Sequence, residues 1–127
     1  MTTLLARGVV VTSPKEVVLN FIEALNNEHF NIARNYLDDN MFFDGILGSR
    51  NGADVYISDM EKMKFKYDVK KAFRNGNHVC ILYDINMGGT TIFTCGWYHI
   101  KNNKIHALKV VFDPRPLLEK SQDKNAA

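Results

Sequence analysis

The stretch Thr90–Phe112, TTIFTCGWYHIKNNKIHALKVVF, decides the fold. Two runs rich in β-branched and aromatic residues flank Lys101-Asn102-Asn103-Lys104, and asparagine tolerates the left-handed backbone that a tight hairpin requires. A long antiparallel hairpin is expected. On its second strand the period of two puts His106, Leu108, Val110 and Phe112 on one face and Lys109 and Val111 on the other. The first face is the more apolar. A sheet with such a face must cover it, and the available cover is helical material nearer the N-terminus.

Working outward, turn pairs punctuate the chain upstream of the hairpin. Met87-Gly88-Gly89 and Asn75-Gly76-Asn77 separate strands expected at Lys64–Arg74 and His78–Asn86. Before them, the segment from Asp54 to Met63 carries Tyr56, Met60 and Met63 on one helical side. The glycines between Gly45 and Gly52 read as a loop, and Met41-Phe42-Phe43-Asp44 as a short strand. A short helix is expected from about Glu28 to Leu37, followed by turn chemistry at Asp38-Asp39-Asn40. Nearest the start, Ser13-Pro14-Lys15-Glu16 is a capping box with proline at the first helical position. Val17, Phe21 and Leu25, with Val18 and Ile22 beside them, form its apolar stripe, which runs to Asn26-Asn27. Residues 1–12 read as an arm or a short extra strand, and the polar tail 119–127 is expected to be disordered.

Composition narrows the function classes. A chain of 127 residues with 46% hydrophobic and 24% charged residues fits one domain with a real core. Its formal net charge of +2 argues for neither nucleic acid nor an anionic membrane as partner. The basic run Lys62, Lys64, Lys66, Lys70, Lys71 and Arg74 alternates with Phe65, Tyr67, Val69 and Phe73 and reads as a solvated strand face. Four apolar-run residues after Arg7 fall short of a signal peptide, and no run approaches a membrane helix. With Cys80 and Cys95 as free thiols on different strands, a cytoplasmic setting is the expectation.

The resulting order of helices and strands is that of an α+β fold, a strongly curved antiparallel sheet wrapped around N-terminal helices. Together with SPKEVVLNFIEALNNEHFNIARNYLDDNMFFDG and WYHIKNNKIHALKVVFDPRPL, this order resembles the nuclear transport factor 2-like superfamily. Within it, the SnoaL-like polyketide cyclases and ketosteroid isomerases are most similar. The resemblance covers residues 13–118. It implies a cone-shaped half-barrel with an apolar pocket at its open end, and a homodimer through the outer sheet face, where Trp97 and Val111 are expected.

Asp44 is the candidate base. The segment Phe42-Phe43-Asp44-Gly45 is similar to the isomerase strand that ends in a proton-shuttling aspartate, and a carboxylate facing an apolar cavity loses solvation and gains basicity. Asp-Gly is also an ordinary turn pair. The alignment places Phe21 and Gly96 where the isomerase carries its two oxyanion donors, and losing even one such donor typically costs ~10²–10³ in rate. Tyr98 or Tyr83 could replace them, or each could be a core tyrosine with its hydroxyl at the rim. His106 could partner Asp44 or be a structural histidine. The pocket lining is expected to include Phe21, Leu25, Phe42, Tyr56 and Met60 from the N-terminal half. Ile81, Tyr83, Leu108, Val110 and Phe112 would complete it. Arg115 could reach the rim or pair with Asp44.

No histidine, cysteine or carboxylate spacing matches a metal site, no glycine pattern matches a phosphate loop, and no cofactor is expected. Two readings remain open. The chain is a cofactor-independent isomerase, cyclase or hydratase acting on a small apolar molecule, or a non-catalytic ligand-binding or dimerisation module of the same fold.

Overall fold

In the computed structural model, residues 3–4 and 10–119 are described. Strands β1 (Thr3–Leu4) and β2 (Val10–Val11) pair with each other antiparallel, so the arm contains an extra strand pair. Helix α1 (Pro14–Asn26) starts as its capping box requires, with Ser13 Oγ accepting from the Glu16 amide at 3.2 Å and proline in the first turn. Its Val17, Val18, Phe21, Ile22 and Leu25 are all buried.

Helix α2 (Phe30–Arg34) is shorter than expected. Leu37, taken from its pattern as helical, opens strand β3 (Leu37–Asp44) and pairs with Ile105, while the Ile105 amide donates to Tyr36 O at 2.8 Å. Sheet pairing at a buried leucine outweighs local helix propensity. The expected turn at Asp38-Asp39-Asn40 is instead a bulge in β3, where the register jumps between Leu37 and Phe42. Arg34 holds this corner together by donating to Asp54 Oδ1 through Nε and to Asp39 Oδ1 through Nη2, both at 2.7 Å.

The expected loop 45–52 folds back as strand β4 (Ser49–Asn51), antiparallel to β3, and helix α3 (Ala53–Met63) follows. Strands β5 (Lys66–Asn75), β6 (His78–Met87), β7 (Thr90–Lys101) and β8 (Lys104–Phe112) form the antiparallel meander. Asn102 and Asn103 turn the last hairpin with φ of 51° and 60°. The six strands run in the order β4-β3-β8-β7-β6-β5. The sheet is mixed rather than wholly antiparallel, because β3 lies parallel to β8. No hairpin joins these two strands, so no tight turn imposes an antiparallel direction on them.

The curved sheet remains open, and α1 and α3 pack against its concave side, giving a cone with its core at the closed end. No helix among the described residues is long and apolar enough to cross a membrane. The lysines of β5 are solvated as expected, with Lys66 on Glu28 and Lys70 on Asp68 and Asp84. The tail 120–127 lies outside the described residues.

Candidate ligand cavity

At the wide end of the cone the concave face is not filled. A cavity of about 610 Å³ opens there between α3, the β3–β4 hairpin and the inner faces of β5, β6 and β8. Met60, Met63, Phe65, Ile85, Leu108, Val110 and Phe112 make it apolar, and Ile46, Leu47 and Leu117 stand at its mouth. Three tyrosines, one arginine and one aspartate supply its ionisable polar groups.

The tyrosines arrive from separate elements. Tyr56 comes from α3, Tyr67 from β5 and Tyr83 from β6, and Tyr98 of β7 lies directly behind Tyr83. Tyr83 Oη and Tyr98 Oη are hydrogen-bonded at 2.8 Å, Tyr67 donates to Met60 Sδ at 3.5 Å, and the Tyr67 and Tyr83 ring centroids are 5.4 Å apart. Burial first, and then neighbouring phenols, hold Tyr56, Tyr83 and Tyr98 well above the usual range. Burial does the same to Tyr67, against a smaller lowering by its hydrogen bond to Tyr56. All four are therefore neutral donors.

A proton count orients the deepest pair. Tyr98 is 1% exposed, does not line the cavity, and has no other acceptor among the described residues. If Tyr83 donated to it, the Tyr98 proton would be stranded. With Tyr98 as donor, the proton left for a further acceptor is that of Tyr83, itself 1% exposed but the member of the pair that lines the cavity.

Gly96 makes this arrangement possible. It pairs with Ile81, one diagonal step from Tyr83, and a Cβ there would collide with Tyr83 Oη and lie 2.9 Å from Tyr98 Cε1. The position where the aligned isomerase carries a protonated acid is filled here by a phenol from the neighbouring strand. The two tyrosines named as replacement donors thus meet each other, Tyr83 at the cavity wall and Tyr98 behind it.

Asp44 is placed differently from the sequence expectation. Strand alternation turns Met41 and Phe43 inward and Phe42 and Asp44 outward. Phe43 lines the cavity, whereas Phe42 is 40% exposed and Asp44 takes Lys109 Nζ at 2.7 Å beside the outer sheet face. His106 also leaves the apolar face. Ile100 pairs with Ile105 and His99 with Ala107, so His106 is the extra residue of a bulge, and its Nε2 lies 3.6 Å from Asp38. Asp44, Tyr98 and His106 are thus not brought together.

Of the expected lining, Tyr56, Met60, Tyr83, Leu108, Val110 and Phe112 reach the cavity. Phe21, Leu25 and Ile81 are core residues, and Phe21 supports Tyr56 with ring centroids 6.5 Å apart. Arg115 folds onto Asp113 through Nε and Nη2 and touches neither Asp44 nor the cavity. Cys80 and Cys95 are free thiols, and burial and then Cys80 push the Cys95 thiol up.

Arg50 and Asp59 also stand in the cavity wall, with an Nε–Oδ2 distance of 2.9 Å. The sequence carries a signal for each. Asp59 stands three residues after Tyr56 on α3, so the two share a face, and Arg50 pairs with inward-facing Phe43 across the hairpin. Arg50 could be placed only once residues 49–51 were known to be a strand.

A curved sheet closed at one end by helices, with a tyrosine-bearing apolar cavity at the other, defines a cone-shaped α+β fold. This chain belongs to the nuclear transport factor 2-like (NTF2-like) family. It is 50% identical to an NTF2-like protein of unknown function from Cytophaga hutchinsonii ATCC 33406, over 85% of this chain and 96% of that one, with a TM-score of 0.84. More distant structures share the fold alone. An LEH-like epoxide hydrolase from M. tuberculosis is 17% identical over 84% of this chain and 86% of its own, with a TM-score of 0.74. A putative SnoaL-like polyketide cyclase from Shewanella putrefaciens CN-32 is 9% identical over 86% and 85%, with a TM-score of 0.73. No family model and no curated protein matches the chain.

Two outcomes are expected from the tyrosine cluster. Gly96→Ala should lower unfolding free energy by about 1–3 kcal/mol in urea titration, and the loss should be smaller in a Tyr83→Phe background, where the colliding oxygen is absent and the contact with Tyr98 Cε1 remains. An equal loss in both backgrounds would contradict the packing account. Because folding raises the phenol pKa values, stability is fully present below about pH 10 and falls as pH rises beyond it, by about 1.4 kcal/mol per unit for each buried tyrosine. Tyr67→Phe should make that alkaline decline shallower.

Proposed function

We propose that this protein is a binding domain for a small, mainly apolar molecule that carries a hydrogen-bond-accepting oxygen, and that it acts as a homodimer. The observation that carries the first part is the Tyr83 hydroxyl at the wall of a mainly apolar cavity, bonded only to Tyr98 among the described residues. A carbonyl, ether or hydroxyl oxygen placed there gains a donor that the protein itself leaves without an acceptor, while the rest of the molecule removes methionine and leucine surface from water. Volumes of this size are ordinary for small-molecule sites, which bury most of an apolar ligand and orient it with few polar groups.

The reading requires no chemistry from the chain. The carboxylate expected to act as base is ion-paired on the other side of the sheet, so the geometry favours the non-catalytic alternative over an isomerase, cyclase or hydratase using Asp44.

The dimer rests on the convex face. Phe73, Phe93, Trp97 and Val111 are each more than two-fifths exposed there. Cys80, Leu82 and Cys95 lie between them in register, which joins them into one apolar patch. A patch this continuous on a small domain marks a partner surface, and a second copy is the partner that an isologous sheet interface would satisfy.

The neutral fluorophore N-phenyl-1-naphthylamine should bind one molecule per chain. Met87→Trp, which puts a larger ring at the cavity wall, should weaken it by about tenfold, and Tyr83→Phe should weaken carbonyl-bearing competitors but not pure hydrocarbons. Unchanged affinity in Met87→Trp would place the probe elsewhere and remove the cavity reading. Sedimentation should give a dimer mass for the native chain and a monomer for Trp97→Glu. A monomer for both would end the dimer proposal.

A further inference from the structure

Arg50 and Asp59 form the one ion pair in the cavity wall among the described residues, and the pair is incomplete. Arg50 donates through Nε to Asp59 Oδ2 and leaves both terminal guanidinium nitrogens without a partner among the described residues. Those nitrogens belong to a side chain facing the cavity, since Arg50 stands opposite Phe43 on the inner side of the hairpin.

Arg34 in the same chain shows what a guanidinium in this state can hold. Its Nε is taken by Asp54, as the Arg50 Nε is taken by Asp59, and its far end binds a second carboxylate, Asp39. The Arg34 fork is filled from within the chain. The Arg50 fork, on a residue of the cavity lining, is filled on the Nε side only.

We infer that the ligand is a mainly apolar carboxylic acid whose carboxylate binds the open end of Arg50 while its body, with a second oxygen for Tyr83, fills the cavity toward the tyrosines. This rests on the cavity reading above and adds the charge of the ligand and the end at which it sits. The placement is electrostatically reasonable. Arg50 has 55% of its side chain exposed, so an ionised head group remains partly hydrated at the mouth, whereas the apolar interior would exact the full desolvation penalty of an anion. Planar carboxylate matches the spacing of two guanidinium N–H groups and adds orientation to charge. Asp59 has a double role. It fixes the guanidinium plane, and it is the negative charge that a ligand carboxylate must share the arginine with.

The test displaces bound N-phenyl-1-naphthylamine from the native chain with decanoate or with 1-decanol, at a mildly alkaline pH where the acid is ionised. Decanoate should compete about tenfold more strongly than the alcohol, and added salt should weaken only decanoate. Arg50→Gln should remove the preference, read as the ratio of decanoate to decanol competition, and Arg50→Lys should restore part of it. Asp59→Asn should move decanoate in the opposite direction, to tighter binding, because the competing charge is gone and the guanidinium remains. Equal competition by acid and alcohol in the native chain overturns the inference and leaves the cavity reading standing. So does a loss in Arg50→Gln that is the same for both. Failure of the neutral probe to bind the native chain overturns the cavity reading, and the inference with it.

Discussion

The curvature of the six-stranded sheet is the constraint from which the rest follows. A strongly curved sheet presents more concave apolar surface than two helices can cover. Helix α1 fills the narrow end with Val17, Val18, Phe21 and Ile22, and α3 leans over the remainder, lining the cavity with Tyr56, Asp59, Met60 and Met63. What the helices leave open is the cavity.

The same geometry dictates which side chains can serve the cavity. A strand offers every second residue, so β3 can turn either Phe43 or Asp44 inward, and Phe43 is the one that packs on Tyr56, with ring centroids 5.2 Å apart. Burying phenylalanine and leaving the aspartate to Lys109 avoids the desolvation of an unpaired charge. The polar content of the cavity therefore comes from groups whose burial costs less. These are phenols that hydrogen-bond one another and an arginine–aspartate pair at the mouth. Gly96 is the small residue on which the phenol cluster turns, because an added methyl at that position would occupy the space of the Tyr83 hydroxyl.

The chain thus keeps the NTF2-like frame while departing from the isomerase arrangement that its strand order suggests. The two faces of the sheet carry different side chains. The concave one carries tyrosines, methionines and Arg50, and the convex one carries Trp97, Phe93 and Phe73 around two thiols.

The sequence by itself determined the elements that depend on neighbouring residues. The Ser13 cap, the stripe of α1, the asparagine turn and the meander after Lys64 are local, since capping and left-handed turns act within a few residues. The inward set Tyr83, Leu108, Val110 and Phe112 was legible for the same reason, as alternation persists along a regular strand. Tertiary structure decided what alternation could not carry across an irregularity. The bulge at Asp38–Met41 made a strand of an apparent turn, and the extra residue in β8 took His106 off the apolar face. Short Met41–Asp44 had too few residues to fix its phase, so only packing against Tyr56 could show that Asp44 points away. Arg50 and Asp59 are nine positions apart on different elements, and a strand pairing of three residues aims one at the other. Such contacts depend on register and on the hairpin that brings β4 back, neither of which is encoded in a window short enough to read.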